Sequence, residues 1–368
     1  MNSAIAKTIS LFLLIMVGFF LRKKIKSKEQ KEGLKIVILS VALPSIIFIG
    51  LQKINFSVDM LIFPIAALVF NLCAFASVSF LSSVFKLDKD SSYARTLKML
   101  VPSLAPGLSC FPFLLEYFGE PTLANAAIAD IGNKIFVLII LYLLALKWYH
   151  KSEYVEYSDK GSKLKSLLKS LISEPVNMVI LLGVGLLLFG INYDSFPAFL
   201  SMTVDKMSLI MTPLVLMFIG ISVKLDWAQI KTIWSVLLFR SGFAFFFSGL
   251  ILAFFPATSP ALSMLIVLFP QSSCSFWPYA HMSAINAMGE AKNTKPVFDM
   301  DLGMNILALS LPLSTIIILG LSTYGEKSSS PVFVFTLAGI LIGASVLPQL
   351  VKNIAGKYLD KKMEVSEN

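Results

Sequence analysis

The sequence predicts an all-α polytopic membrane protein: two inverted five-helix repeats with broken crossover helices 4 and 9, plus an extra C-terminal helix. Three observations predict this fold: a series of long apolar runs, a one-sided distribution of basic residues, and motifs that occur twice. Of the 368 residues, 56 % are hydrophobic and 14 % are charged, and the mean hydropathy of +0.79 lies far from that of soluble proteins. The chain is therefore expected to cross a membrane many times rather than to carry a single anchor.

Eleven apolar runs are each long enough to cross a bilayer as a helix. The first run lacks a small-residue cleavage pattern and is followed by a basic segment, so we expect a retained helix rather than a signal peptide. The three cysteines lie within apolar runs without CxxC spacing, which predicts no metal site, no disulfide framework and no cofactor. The predicted helices, numbered in chain order, cover residues 4–21, 34–51, 60–85, 96–118, 122–147, 175–191, 206–224, 232–255, 260–285, 296–320 and 331–351.

The basic residues lie mainly on one side of this array of helices. The loops after helices 1, 3, 5, 7, 9 and 11 hold 25 of the 31 lysines and arginines, whereas the N-terminus and the other loops together hold 4. Because positive residues stay cytoplasmic, we expect the N-terminus outside the cell membrane and the C-terminus inside. The formal net charge of +9 is therefore interpreted as a topology signal, and no nucleic-acid partner is expected.

Three pairs of motifs recur in the same order in the two halves of the chain, each on an equivalent helix. They are DIGNKI (130–135) with DLGMNI (301–306), PGLSCF (106–111) with PQSSCSF (270–276), and LPSIIFIG (43–50) with TPLVLMFIG (212–220). A unit of five helices is odd, so its second copy must enter the membrane upside down, as in secondary transporters. The predicted divisions are a first repeat at 4–147, a cytoplasmic linker with an amphipathic helix at 148–174, the second repeat at 175–320, an additional helix at 331–351 and a cytoplasmic tail at 352–368.

Helices 4 and 9 contain clusters of prolines and polar residues. Helix 4 carries Pro102, Pro106 and Pro112, and helix 9 carries Pro270 and Pro278. Because proline removes a donor and clashes with the preceding turn, such clusters predict unwound backbone, which is tolerated at membrane depth where it lines a cavity. We expect the two helices to cross in mid-membrane, with the N-termini of their second halves directed at a bound anion. The alternative is that the prolines only kink the helices and steer their packing.

Three polar residues interrupt the apolar fifth helix: Asp130, Asn133 and Lys134. Lys134 lies roughly 18 Å from either end of its run at about 1.5 Å per residue. Burial of its charge costs at least about 2.5 kcal/mol, so it requires a partner, and Asp130 lies one helical turn away. A fixed ion pair is the simpler alternative to a binding role. Arg240, the other basic residue inside a run, lies about eight residues from the cytoplasmic start of helix 8, close enough to snorkel.

Several of these segments also carry a family resemblance. LIMVGFFLRKK…EGLKIVILSVALPSIIFIGL (14–51), PVNMVILLGVGLLLFGI (175–191), TPLVLMFIGISVKL (212–225) and LFPQ (268–271) resemble the auxin efflux carrier family, the PIN-like permeases. The resemblance covers roughly residues 4–320. It implies ten helices in two inverted repeats, proline crossovers in helices 4 and 9, and transport of organic anions such as indole acetate or small dicarboxylates.

The first crossover departs from the pattern Asn-x-Gly-Phe-x-Gly-x-Pro that this family usually shows. Gly107 and Pro112 are kept, but Ala105 stands in place of the asparagine and Cys110 in place of the second glycine. The asparagine contact therefore does not carry over, and Lys134 is expected to take part of its role. The linker and helix 11 lie outside the family core.

These features together predict a secondary transporter that moves a small organic anion by alternating access, with helices 4, 5, 9 and 10 moving against helices 1, 2, 6 and 7. Asp130 and Asp301 are predicted to couple transport to H⁺ or Na⁺. The other expected partners are membrane lipid and, as an option, a second copy of the chain. The predicted substrate-binding residues are Pro106, Gly107, Ser109, Pro112, Asn133, Lys134, Pro270, Gln271, Ser272, Ser273 and Asn305.

Other interpretations remain open at this point. The polar residues Ser109, Gln271, Ser272 and Ser273 could instead satisfy loosened backbone groups. A membrane sensor on a transporter fold would bind the same ligand without transport, and a channel would conduct it passively. An intramembrane enzyme is not expected, because the sequence contains no HExxH or GxSxG motif and only two histidines.

Overall fold

A computed structural model of the chain describes residues 3–52, 58–153 apart from 86 and 89, 175–222, 230–290 apart from 256, and 295–347. The described elements are all helical, and six helices are long and apolar enough to cross a membrane. The chain is therefore an all-α, multi-pass membrane protein. The amphipathic helix predicted at 163–173 and the tail at 352–368 lie outside the described residues.

In the first half of the chain, helices occupy the five predicted runs, and the fourth is interrupted. The capping box of Ser27 and Gln30 starts the helix at Lys28, and Gly119, with a φ of 81°, separates the helix that ends at residue 118 from the helix that begins at residue 120. The spans are α1 (Ser3–Leu21), α2 (Lys28–Val37, a π turn at Ile38–Ala42, then Leu43–Gln52), α3 (Ile62–Val84), α4a (Ser92–Leu100), α4b (Pro106–Ser109 and 111–118) and α5 (120–134, a π turn at Ile135–Ile140, then Leu141–Glu153).

The second half has a corresponding series, in which the seventh helix is divided at Ile210 and the ninth is interrupted by non-helical residues, followed by the extra helix. Ser259 caps the start of α9a and Asp299 caps the start of α10. The spans are α6 (Pro175–Leu188), α7 (Ala198–Leu209 and Met211–Ser222), α8 (Ile230–Phe254), α9a (Pro260–Leu268, then a 3₁₀ turn at Phe269–Gln271), α9b (Phe276–Glu290), α10 (Met300–Tyr324) and α11 (Pro331–Leu347). Two interrupted spans fit the predicted pattern, but the inverted repeat itself stays a prediction.

Glycines allow some of these helices to pack backbone against backbone. A Cβ added to Gly18 of α1 would lie 2.0 Å from the carbonyl oxygen of Met217 in α7, and one added to Gly220 would lie 2.0 Å from that of Ile15. Small residues commonly allow such close contact between membrane helices. The contact fixes α1 against the second part of α7.

A similar close contact holds α5 against α3. A Cβ on Gly132 would lie 1.9 Å from the carbonyl oxygen of Pro64. Gly132 lies beside Asn133 and Lys134 in the sequence, so this packing fixes the turn of α5 that carries the polar residues. The extra helix α11 packs on α8, where the hydroxyl of Ser345 donates a 2.6 Å hydrogen bond to the carbonyl of Ser235.

Candidate functional site at the crossing of two broken helices

The two interrupted helices meet where their backbones leave the helical conformation, and we call residues 101–105 and 272–275 the crossing. The N–H of Ala105 donates to the carbonyl of Ser273 at 2.8 Å. The N–H of Ser273 donates to the hydroxyl of Ser109 at 2.9 Å, and the N–H of Ser275 donates to the hydroxyl of Ser103 at 3.0 Å. The unwound segments therefore satisfy part of each other's backbone, as membrane-embedded groups without water must.

Arg240 of α8 binds both unwound segments at once. Its Nε donates to the carbonyl of Val101 at 2.9 Å, and its Nη2 donates to the carbonyls of Ser103 at 3.0 Å and Ser272 at 2.6 Å. The side chain is only 3 % exposed. Arg240 does not snorkel, because carbonyls released by the broken helices give the guanidinium its hydrogen bonds inside the protein.

Asn133 completes the backbone bonding of the first unwound segment. Its Oδ1 accepts from the N–H of Leu104 at 3.1 Å, and its Nδ2 donates to the carbonyl of the same residue at 2.9 Å. Asn71 of α3 donates to Asn133 Oδ1 at 2.8 Å, and Asn133 donates to Asp130 Oδ1 at 2.8 Å. The amide of Asn133 thus connects the crossing to the turn of α5 that carries Asp130 and Lys134.

Lys134 and Asp130 form the ion pair that their spacing predicts. The ammonium nitrogen of Lys134 lies 3.4 Å from Asp130 Oδ2, and both side chains are less than 10 % exposed. Lys134 also donates to Oδ1 of Asn177 at 3.3 Å. Asn177 belongs to α6, so this hydrogen bond joins the fifth and sixth spans.

The predicted polar residues of the crossing bond backbone groups in this conformation. Besides accepting from Ser273, the hydroxyl of Ser109 donates to the carbonyl of Ala105 at 2.9 Å. Ser272 donates to the carbonyl of Phe269 at 2.6 Å. Gln271 Nε2 donates to the carbonyl of Ser241 at 3.0 Å, while its buried Oε1 has no partner in the described part of the chain. In this conformation Ser109, Gln271 and Ser272 bond backbone groups, as expected if they satisfy the backbone of the broken helices. Their role in substrate binding stays a prediction.

The predicted prolines and the glycine of the crossing serve its backbone and its packing. Pro106 is the first residue of α4b, where its missing N–H costs nothing. Gly107 faces α2, where an added Cβ would lie 3.1 Å from the side chain of Leu43, closer than an ordinary van der Waals contact. Pro112 is buried in the first turn after Phe111, and Pro270 is buried in the 3₁₀ turn.

The second-half counterparts of the charged turn lie in a different environment. Asp301 is exposed in the first turn of α10 and Asn305 is half-buried one turn later, whereas Asp130 and Lys134 are buried. The difference arises because α10 begins at Met300, so that Asp301 lies at a helix N-terminus, where a carboxylate is favoured without a cation. Asp130 and Lys134 therefore form a buried pair beside the crossing, whereas Asp301 and Asn305 do not form a second one.

Sequence reasoning missed the contributions of Arg240, Asn71, Asn177 and Ser103. An ionisable residue inside a span is by default a candidate functional residue, so Arg240 could have been found by that rule. The two asparagines are isolated amides in apolar runs, which indicates burial with a partner but does not identify it. His281 has a polar partner, because its Nε2 lies 3.1 Å from the carbonyl of Val137.

Two cavities lie away from the crossing. One of about 400 Å³ lies between α2, α6 and α7, and another of about 310 Å³ lies between α3 and α5. Residues of the crossing line neither of them. The first is lined by Ser40, Val41, Pro44, Ser45, Phe48, Val179, Leu182, Tyr193, Phe196, Leu200, Ser201, Val204 and Met207.

Comparison with known proteins gives one informative similarity. No protein-family model matches the chain. Over 259 residues the chain is 26 % identical to an uncharacterized transporter from Methanocaldococcus jannaschii, and the match covers 69 % of this chain and 77 % of that protein. The similarity therefore extends over most of both proteins.

Proposed function

We propose that this protein is a secondary transporter that moves a small organic anion, a carboxylate, across the cell membrane by alternating access. The observation that carries the proposal is the crossing of two broken helices beside a buried lysine. Unwound backbone and buried charge are expensive in a membrane and are characteristic of transport sites near the midplane. The similarity to an archaeal transporter supports the same class.

Several contacts fit a division into a mobile body and a scaffold, and Gly50 of α2 packs closely on the backbone of Glu120 at the start of α5 where the two bodies would meet. Arg240 of α8 and Asn133 of α5 both bond the crossing, and the N–H of Cys274 donates to the hydroxyl of Ser310 in α10 at 3.2 Å. On the other side, Gly18 of α1 packs directly on α7. We propose that α4, α5, α9 and α10 move as one body against α1, α2, α6 and α7.

The hydrogen bond between Lys134 and Asn177 connects the two proposed bodies, since α5 belongs to the first and α6 to the second. In this proposal Lys134 attracts the carboxylate of the substrate, and Asp130 and Asp301 set the coupling to H⁺ or Na⁺. The proposed orientation has the N-terminus outside and the C-terminus in the cytoplasm.

The burial of the crossing supports a carrier rather than a channel. The crossing residues Val101, Ser103, Leu104, Ser272 and Ser273 are buried. Backbone groups on both unwound segments are engaged in hydrogen bonds. A carrier must pass through states in which this region is buried, whereas a channel at this place would need a continuous polar path.

The test is transport by the purified protein in proteoliposomes. A thermal-stability screen against organic anions selects the substrate, because a ligand that binds the folded state stabilises it. Exchange of labelled for unlabelled substrate across the vesicle membrane is then expected, and a sensor would bind without exchange. Lys134→Ala should abolish exchange with expression intact, and Lys147→Ala, at an exposed lysine of the same helix, should not. Equal exchange by wild type and Lys134→Ala would refute the assignment.

A further inference from the structure

The buried charges of the described residues do not cancel. Among the described residues, the buried Asp, Glu, Lys and Arg side chains are Asp130, Lys134 and Arg240. We call these three side chains the charged centre. One acid and two bases give it a net charge of +1. Lys134 is compensated by Asp130 at 3.4 Å. In the described part of the chain, Arg240 has no carboxylate within ion-pair distance and relies on three carbonyl oxygens.

The geometry of Arg240 leaves one edge of its guanidinium available. An arginine has five N–H donors in a planar fork. Nε and Nη2 make all three hydrogen bonds, and Nη1 donates to no group in the described residues. Nη1 could therefore donate to one oxygen of a carboxylate that approached the crossing.

The uncompensated charge and the ion pair act on the same short segment. Arg240 bonds the carbonyl of Ser103, and Asn133, which adjoins Lys134 in the sequence, bonds the carbonyl of Leu104. Two consecutive carbonyls are thus held by the charged Arg240 and by the neutral amide of Asn133 next to Lys134. An anion bound here would sense the net charge of the whole centre, because charges interact strongly in a medium of low dielectric constant.

We propose that Arg240 supplies the uncompensated positive charge for anion binding, and that the transported anion carries a single negative charge, as a monocarboxylate does. This inference rests on the proposed function and specifies its substrate class. Carbonyl dipoles stabilise the guanidinium but leave the net charge in the membrane, which remains costly. A monovalent anion brings the centre to zero, whereas a dianion would leave it at −1.

The experiment measures anion-induced thermal stabilisation of the purified full-length chain at neutral pH. The probes are two matched pairs, benzoate with phthalate and butyrate with succinate, and benzyl alcohol is the uncharged control. Wild type should be stabilised more by each monoanion than by its dianion, and not by the alcohol. Arg240→Gln should bind the monoanions about 100-fold more weakly, as expected when one member of a buried charge pair is removed. Arg240→Lys, which keeps the charge but not the fork, should retain most of the stabilisation.

A second variant leaves the bonds of Arg240 to the crossing in place. Asn177→Asp adds a carboxylate beside Lys134, lowers the net charge of the centre to zero, and should remove the stabilisation by monoanions. The variant therefore tests the effect of net charge even if Arg240→Gln does not fold.

The outcomes distinguish the inference from the proposed function. The role of the Arg240 charge is overturned if the monoanions stabilise wild type and Asn177→Asp equally, and if they also stabilise Arg240→Gln equally where that variant folds. If phthalate and succinate stabilise wild type more than benzoate and butyrate do, the proposal that the substrate carries a single negative charge is overturned. If neither wild type nor any variant responds to an anion or exchanges one across vesicles, the proposed function itself fails.

Discussion

The hydroxyl of Ser109 accepts a 2.9 Å hydrogen bond from the backbone N–H of Ser273, so a side chain of one broken helix bonds the main chain of the other. The same hydroxyl donates to the carbonyl of Ala105 at 2.9 Å. Ser109 is fully buried, so the loss of either bond would leave a buried polar group without its partner. The two unwound segments therefore depend on this serine for one donor and one acceptor.

Replacement of Ser109 by alanine should lower the stability of the protein. The N–H of Ser273 would be left buried without its acceptor, which costs about 1–3 kcal/mol. Ser82→Ala is the matched control, because Ser82 is equally buried but its hydroxyl bonds only the carbonyl of Val78 in its own helix. Unfolding in detergent, followed by circular dichroism, should show the larger loss for Ser109→Ala. Equal losses would contradict this account.

The Asp130–Lys134 pair should show strong coupling in a double-mutant cycle. Asp130→Asn or Lys134→Met leaves one buried charge without its partner, which costs about 3–5 kcal/mol. The double variant removes both charges and should recover most of the lost stability. Its transport activity should remain absent if Lys134 attracts the substrate. Additive losses in the unfolding measurements would show that the two charges are not paired in solution.

The broken helices could be predicted from the sequence, because prolines act locally on their own helix. Pro106 and Pro270 lie next to the unwound segments that their chemistry predicts. The ion pair of Lys134 with Asp130 could also be predicted, since both residues lie on one helical face a turn apart. Features set by neighbours along the helix were therefore accessible from one sequence.

The partners of Arg240 could not be predicted in this way. Its acceptors, the carbonyls of Val101, Ser103 and Ser272, lie on two other spans and are main-chain atoms, which any residue provides. Similarly, nothing in the sequence places Asn177 of α6 beside Lys134. Such contacts depend on how helices assemble, and a periodic apolar pattern does not specify them.

The contact of α1 with α7 should not tolerate a side chain at its centre. Gly18→Ala would bring a Cβ to 2.0 Å from the carbonyl oxygen of Met217, so the helices must separate, and overpacking of this kind costs about 1–3 kcal/mol. Gly185→Ala is the control, since a Cβ there has nothing within 4 Å. That change should be neutral or stabilise by up to about 1 kcal/mol through helix propensity. A tolerated Gly18→Ala in thermal unfolding would argue against the close contact.

Asn133 should matter more for the crossing than its neighbour Asn71, although both are buried amides in one network. Asn133→Leu removes the partners of both the N–H and the carbonyl of Leu104, whereas Asn71→Leu removes one donor to Asn133 and leaves those two bonds in place. Each lost partner of a buried group costs about 1–3 kcal/mol. Hydrogen exchange at the Leu104 amide should therefore accelerate by at least about tenfold in Asn133→Leu and change little in Asn71→Leu. The same exchange rate in the two variants would mean that Asn133 does not hold the unwound segment.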